Sequence, residues 1–78
     1  MVDEAQVKMV MASVLGIDPA AIVENSSMDN IKQWDSLRHM NMILALEDAF
    51  SVSIPDEDAA NATSYRLIML VLEELLGK

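Results

Sequence analysis

The sequence has no cysteine, only five lysine and arginine residues, and no long apolar run. Without cysteine the chain forms no disulfide framework, no thiolate zinc site and no cysteine nucleophile. Five basic residues against thirteen acidic ones argue against binding nucleic-acid phosphates. No apolar run reaches the roughly 18–20 residues that span a bilayer, and the acidic N-terminus has no apolar signal region. These absences predict a free-standing cytoplasmic protein without a transmembrane segment.

The residues that are present indicate a folded domain. Hydrophobic residues make up 53% of the 78 positions, which is too many for a disordered chain even at a net charge of −8. A chain of this length has room for one core, so residues 1–78 are predicted to form a single domain. The acidic excess favours solubility and attraction to basic partners.

Apolar residues recur with the period of an α-helix in three long stretches and one short one. Asp3 is the predicted N-cap of the first helix and Gly16 its stop. Thr63 or Ser64 is the predicted cap of the last. The fold class is therefore all-α, a four-helix bundle with a long loop between the first two helices. The predicted helices cover about 3–15, 35–50, 55–61 and 64–76.

The loop and the second helix carry the apolar residues that should hold them in place. Asp18 and Pro19 predict a short helical turn within the loop. A loop of about twenty residues must be packed by its own side chains or carry function. The predicted loop anchors are Ile17, Ile22, Met28, Ile31 and Trp34; the predicted stripe of the second helix is Leu37, Met40, Ile43, Leu44, Leu46 and Phe50.

Ser36, at the predicted start of the second helix, is the most informative position for function. Unpaired backbone N–H groups and the positive helix end would stabilise a phosphate attached there. Two other interpretations stay open. Ser36 is a plain helix cap in an interaction module, or it is the nucleophile of a small hydrolase with His39, which lies one turn away. His39 is otherwise expected on the surface, or beside the phosphate with Arg38.

The run Asp35-Ser36-Leu37 resembles the attachment signature of the acyl carrier protein family. The resemblance extends from the end of the first helix, through the long loop, to Ala45–Phe50, Ile54–Asp58 and the start of the last helix. It implies that 4′-phosphopantetheine from coenzyme A is esterified to Ser36 by a phosphopantetheinyl transferase. It further implies a carrier without catalysis, which holds an acyl thioester for loading and transfer enzymes of a fatty-acid, polyketide or dedicated pathway. A peptidyl or aminoacyl carrier remains an alternative.

The resemblance also suggests a docking face along the second helix, where exposed charges would tune the rate of partner binding. Arg38, His39 and Asn41 depart from the acidic character common in the family, and Trp34 stands where a small residue is usual. These departures favour a dedicated pathway. The predicted docking residues are Asp35, Leu37, Arg38, Met40, Asn41, Leu44, Glu47, Asp48 and Asp56.

Three further hypotheses concern the rest of the chain. The acids of 56–58 are interpreted as a helix start, because they lack the glycine and final glutamate of a calcium loop. Leu67, Leu70 and Val71 are predicted to leave an apolar outer face on the last helix, through which an otherwise monomeric chain would self-associate. The predicted shelter for an acyl chain is formed by Met40, Ile43, Leu46, Ile54, Ala59, Ala62 and Met69.

Overall fold

The computed structural model describes residues 2–77 and contains four α-helices and one short 3₁₀ turn, η1. Within these residues the single extended pairing is an isolated bridge between Ser27 and Ser64. None of the helices in this range is long and apolar enough to cross a membrane. The predicted all-α, four-helix class is confirmed. The elements are α1 (Glu4–Leu15), η1 (Pro19–Ala21), α2 (Ser36–Phe50), α3 (Asp56–Asn61) and α4 (Tyr65–Leu76).

The helix boundaries follow from local capping. The Asp3 carboxylate accepts the Ala5 backbone N–H at 3.0 Å, and the Asp18 carboxylate accepts that of Ala20 at 2.9 Å. Gly16 ends α1 in the left-handed region, at a φ of 71°, where a residue without Cβ fits best. The Ser64 hydroxyl accepts from Leu67 at 3.2 Å and so caps α4, which selects Ser64 over Thr63.

The core lies between α1, α2 and α4, and the loop packs onto it. Val7, Met11 and Leu15 supply the inner face of α1, which contacts α2 and η1. Tyr65, Ile68 and Leu72 supply that of α4. Leu76, in the last turn of the helix, is exposed. The buried apolar residues are Val2, Val7, Met11, Ala12, Leu15, Ile22, Trp34, Met42, Ile43, Leu46, Ile54, Ala62, Tyr65, Ile68 and Leu72.

The long loop between α1 and α2 is held by its own residues, as predicted. Ile22 and Trp34 are buried, and the other three predicted anchors are half-buried against the core. The Met28 N–H donates to the Thr63 carbonyl at 3.0 Å, and the Tyr65 N–H donates to the Ser26 carbonyl at 2.9 Å. These bonds tie the loop to the start of α4, so the loop delivers the chain to α2 at a fixed place.

Tyr65 joins the beginnings of α4 and α1. Its hydroxyl donates to a carboxylate oxygen of Glu4 at 3.0 Å, and the Lys8 ammonium lies 5.4 Å from the centre of its ring. Burial of the phenol, together with the Glu4 carboxylate, raises the pKa of Tyr65 to about 12. The phenol is therefore harder to ionise in the folded chain than in the unfolded one.

The stability of the chain should consequently fall at alkaline pH. An unfolded tyrosine ionises near pH 10, so the contribution of Tyr65 is complete below pH 10 and is lost as the pH rises toward 12. Urea unfolding between pH 8 and 11.5 should show a steeper loss in the wild type than in Tyr65→Phe. The phenylalanine variant keeps Lys8 and so controls for lysine titration. Equal slopes in the two proteins would contradict the prediction.

Candidate functional site

Ser36 is the first residue of α2 and follows directly from the loop. Its side chain is exposed, and no hydrogen bond among residues 2–77 uses its hydroxyl. Asp35 is the N-cap: its carboxylate accepts the Arg38 backbone N–H at 2.8 Å. The interpretation of Ser36 as a plain cap is therefore wrong, because the neighbouring aspartate performs that task.

The first turn of α2 provides donors for an anion. The backbone N–H groups of Ser36 and Leu37 are the first two of the helix and have no intrahelical acceptor. The Arg38 guanidinium, which belongs to the same turn, lies 3.1 Å from the second carboxylate oxygen of Asp35. Both side chains of this ion pair are about half exposed, so water screens it and it contributes little to stability. The arrangement offers a hydroxyl without a hydrogen bond among the described residues, next to backbone donors at the positive end of the helix dipole.

His39 lies inside the bundle, and the prediction that it is a surface residue is wrong. The Trp34 indole N–H donates to its Nδ1 at 3.0 Å, and its Nε2 lies 2.7 Å from the Ala59 carbonyl oxygen. Because an indole N–H only donates and a carbonyl only accepts, Nδ1 is the unprotonated nitrogen and Nε2 carries the proton. The two rings stack with their centres 6.0 Å apart. This buried network joins the loop, α2 and α3.

The same contacts argue against the hydrolase interpretation, because they leave Ser36 without His39 as a general base. Both ring nitrogens of His39 are bound to groups other than Ser36, and the imidazole is buried while the Ser36 hydroxyl faces solvent. The same burial and bonds also overturn the idea that His39 helps to hold a phosphate with Arg38. Trp34, as predicted, holds the loop against the start of α2.

The exposed side of α2 carries an apolar surface next to Ser36. Leu37, Met40 and Leu44 are 71%, 64% and 61% exposed, and their spacing places them along one side of the helix. We call these three residues the α2 patch. Their assignment to the core stripe is wrong; that stripe is formed by His39, Met42, Ile43, Leu46 and the half-buried Phe50. Exposed apolar residues that lie together are typical of a binding surface.

All but one of the predicted polar and charged docking residues are exposed. Asp35, Arg38, Asn41, Asp48 and Asp56 are exposed. Glu47 is half-buried instead, and one of its carboxylate oxygens accepts the Ile54 backbone N–H at 2.7 Å. That bond closes the turn between α2 and α3, so Glu47 has a structural role there, and its part in docking stays a prediction.

A cleft of about 330 Å³ opens between α2 and α3, beside the α2 patch. Apolar side chains form most of its wall, and His39, Glu47 and Asp56 contribute the polar part. Of the residues predicted to shelter an acyl chain, Met40, Ile43, Ile54 and Ala59 line this cleft. Leu46, Ala62 and Met69 do not. The full lining is His39, Met40, Ile43, Leu44, Glu47, Ile54, Asp56, Ala59 and Ala60.

Two further surfaces lie on α3 and α4. The acids of 56–58 occupy the first turn of α3, as interpreted, and within residues 2–77 no three His, Asp or Glu side chains are grouped to hold a metal ion. On α4, Leu67 and Leu70 are exposed and Val71 is half-buried beside Asp58 and Glu74. Self-association through this face stays a prediction.

Comparison with known proteins agrees with this geometry. The family model described as "phosphopantetheine attachment site" matches residues 5–70, which is most of the chain. The fold matches the solution structure of the holo acyl carrier protein from Geobacter metallireducens with a TM-score of 0.85 and 21% identity, covering 99% of this chain and 88% of that one. The chain therefore belongs to the phosphopantetheine attachment family as a carrier protein whose prosthetic group is phosphopantetheine, and it has the acyl carrier protein fold.

Proposed function

We propose that Ser36 is the residue to which 4′-phosphopantetheine is attached. The observation that carries the proposal is the exposed Ser36 hydroxyl at the start of α2, free of hydrogen bonds within residues 2–77 and next to two backbone N–H groups without an intrahelical acceptor. These residues fit the group, because a phosphate ester at a helix N-terminus is stabilised by such donors and by the helix dipole. The Arg38 guanidinium adds positive charge at the same end.

The bound group would supply a thiol on a flexible arm, which the cysteine-free chain lacks, to hold an acyl group as a thioester. The chain's own residues position the attachment point and provide the surface for partners. Asp35 fixes the start of α2, and the loop holds this start against the core through Trp34. The α2 patch and its surrounding charges would bind the phosphopantetheinyl transferase and the enzymes that load and transfer the acyl group.

In this proposal residues 1–78 form one carrier domain that serves a fatty-acid, polyketide or dedicated biosynthetic pathway and catalyses no step itself. The pairing of Arg38 with Asp35, and the neutral Asn41, weaken the acidic character of the first half of α2. We therefore favour a dedicated pathway with its own partner enzymes. The cytoplasmic location and the monomeric state stay predictions from the sequence.

Attachment is tested by incubating the chain with a broad-specificity phosphopantetheinyl transferase and coenzyme A. The intact mass should rise by one phosphopantetheine group, with no second addition. Omitting either the transferase or coenzyme A is the control. A chain that stays at its original mass while a known carrier in the same tube is modified would contradict the proposal.

We further propose that the cleft between α2 and α3 takes up part of a bound acyl chain. Its wall is mainly apolar, and its mouth lies along the side of α2 that also bears Met40 and Leu44. Moving a long alkyl chain out of water is favourable by about 0.8 kcal/mol per buried methylene. The benefit therefore grows with acyl length until the cleft is full.

Methyl NMR tests this shelter. A long acyl thioester, compared with the bare arm, should shift the methyl resonances of Met40, Ile43 and Ile54, which line the cleft. Met69 is the internal control, because it lies on α4 beside a different surface depression. Unchanged cleft resonances with a long acyl group, or equal shifts at Met69, would contradict the proposal.

A further inference from the structure

The methionines of the chain differ widely in their exposure to solvent. Met9 and Met40 are each 64% exposed, whereas Met11 and Met42 are fully buried. Met28 and Met69 are half-buried against the core. A thioether reacts with an oxidant only where the oxidant can reach the sulfur. Among residues 2–77, Met9 and Met40 are therefore the methionines most open to oxidation.

Met40 is the one of these two that lies on the candidate site. It is one helical turn beyond Ser36 and stands between the two leucines of the α2 patch. It also forms part of the rim of the cleft between α2 and α3. Met9 lies on α1, in a groove lined by α1 residues and by Ala45 and Asp48. Met9 and Met40 thus have the same exposed fraction but lie on different helices.

We propose that Met40 is a redox-sensitive modification site: its oxidation by a peroxide to the sulfoxide weakens partner docking at the α2 patch. This inference rests on the proposed function of that patch. In the step with hydrogen peroxide, one peroxide oxygen bonds to Sδ of Met40 while the O–O bond breaks, and its proton passes to the other oxygen, which leaves as water. The sulfur loses two electrons and the peroxide gains them.

Oxidation removes the apolar character of the Met40 side chain, which is the property that the α2 patch would use for binding. The thioether is apolar and adapts its shape to a partner, whereas the sulfoxide is polar and carries a strong hydrogen-bond acceptor. A partner that covers the patch must then bury a polar oxygen between Leu37 and Leu44, and this is unfavourable unless a donor meets it. The fold itself should change little, because the Met40 side chain is mostly in solvent.

The test treats the apo chain with hydrogen peroxide, removes the excess with catalase, and then adds transferase and coenzyme A. Peptide mass spectrometry should show sulfoxide at Met9 and Met40 well before Met11 and Met42. The kcat/KM of the transferase should fall by about tenfold in the wild type and in Met9→Leu, equivalent to about 1.4 kcal/mol. Met40→Leu should keep its rate after treatment, and the two stereospecific methionine sulfoxide reductases should restore the wild type.

The remaining outcomes overturn the inference or concern a different claim. An equal loss of rate in Met40→Leu and the wild type, or a loss prevented by Met9→Leu, would contradict it. Oxidation of Met40 at a rate no higher than that of Met42 would also contradict it. A lower unfolding temperature of the oxidised chain would show damage to the fold instead of a docking effect. Failure of the proposed attachment is separate, because the untreated wild type would then gain no phosphopantetheine at all.

Discussion

Replacing Ser36 with alanine should abolish attachment of phosphopantetheine and leave the fold nearly unchanged. The hydroxyl is the only group removed, and it makes no hydrogen bond within residues 2–77. Asp35 still caps α2, and alanine is the best helix former. We expect the free energy of unfolding to stay within about 0.5 kcal/mol of wild type, while intact mass shows no addition in the transferase assay.

Ser64 provides a matched control, because it is also a serine at the start of a helix. Its hydroxyl caps α4 by accepting the Leu67 backbone N–H. Ser64→Ala should therefore lose about 1 kcal/mol of stability and still gain one phosphopantetheine group. Ser36→Ala should therefore lose modification and keep its stability, whereas Ser64→Ala should lose stability and keep its modification. If Ser36→Ala gained the normal mass, attachment would occur at another residue and the proposal would be wrong.

The helix boundaries could be predicted from the sequence because capping is a local interaction. An aspartate or serine oxygen reaches a backbone N–H two or three residues ahead, whatever the rest of the chain does. Asp3, Asp18 and Ser64 cap where the sequence indicated, and α2 begins at the predicted place with Asp35 as its cap. Local reasoning places Ser36 at the start of α2, but its interpretation as the attachment site comes from the family resemblance, because the local pattern alone also fits a plain cap.

The face of α2 that packs inward could not be predicted in the same way. Two apolar sets are interleaved on this helix, one containing Leu37, Met40 and Leu44 and the other Met42, Ile43 and Leu46. Both repeat at helical spacing, and the choice between them depends on what α1 and α4 present. The set that packs inward includes His39. Because histidine is polar, its presence makes that face of the helix look less suited to burial.

A signal for the burial of His39 was nevertheless present. His39 falls at helical spacing with Met42, Ile43, Leu46 and Phe50, and Trp34 lies five residues before it. A histidine that is buried must have both ring nitrogens bonded, and an indole N–H is a suitable donor. The second partner, the Ala59 carbonyl that accepts from Nε2, is twenty residues away and could be found only in the folded structure.

Removing the His39 imidazole should cause the largest loss of stability among the variants considered. His39→Ala leaves the buried Trp34 N–H without an acceptor and the Ala59 carbonyl without this donor, and it opens a cavity between α2 and α3. We expect a loss of about 2–4 kcal/mol. A domain of this size has a stability of roughly 4–12 kcal/mol, so this is a substantial fraction. Urea unfolding followed by far-UV circular dichroism gives the value without relying on Trp34 fluorescence.

A double-mutant cycle separates the hydrogen bond from the loss of packing. His39→Leu keeps an apolar side chain of similar size but leaves the Trp34 N–H unpaired, and Trp34→Phe leaves His39 Nδ1 unpaired. In the double variant neither unpaired group remains, so its loss of stability should be smaller than the sum of the two single losses by about 1–2 kcal/mol. Strictly additive losses would show that the Trp34–His39 hydrogen bond contributes no coupling free energy and would contradict the prediction. A coupling of the expected size would show that the Trp34–His39 bond itself holds the loop, and with it Ser36, at the start of α2.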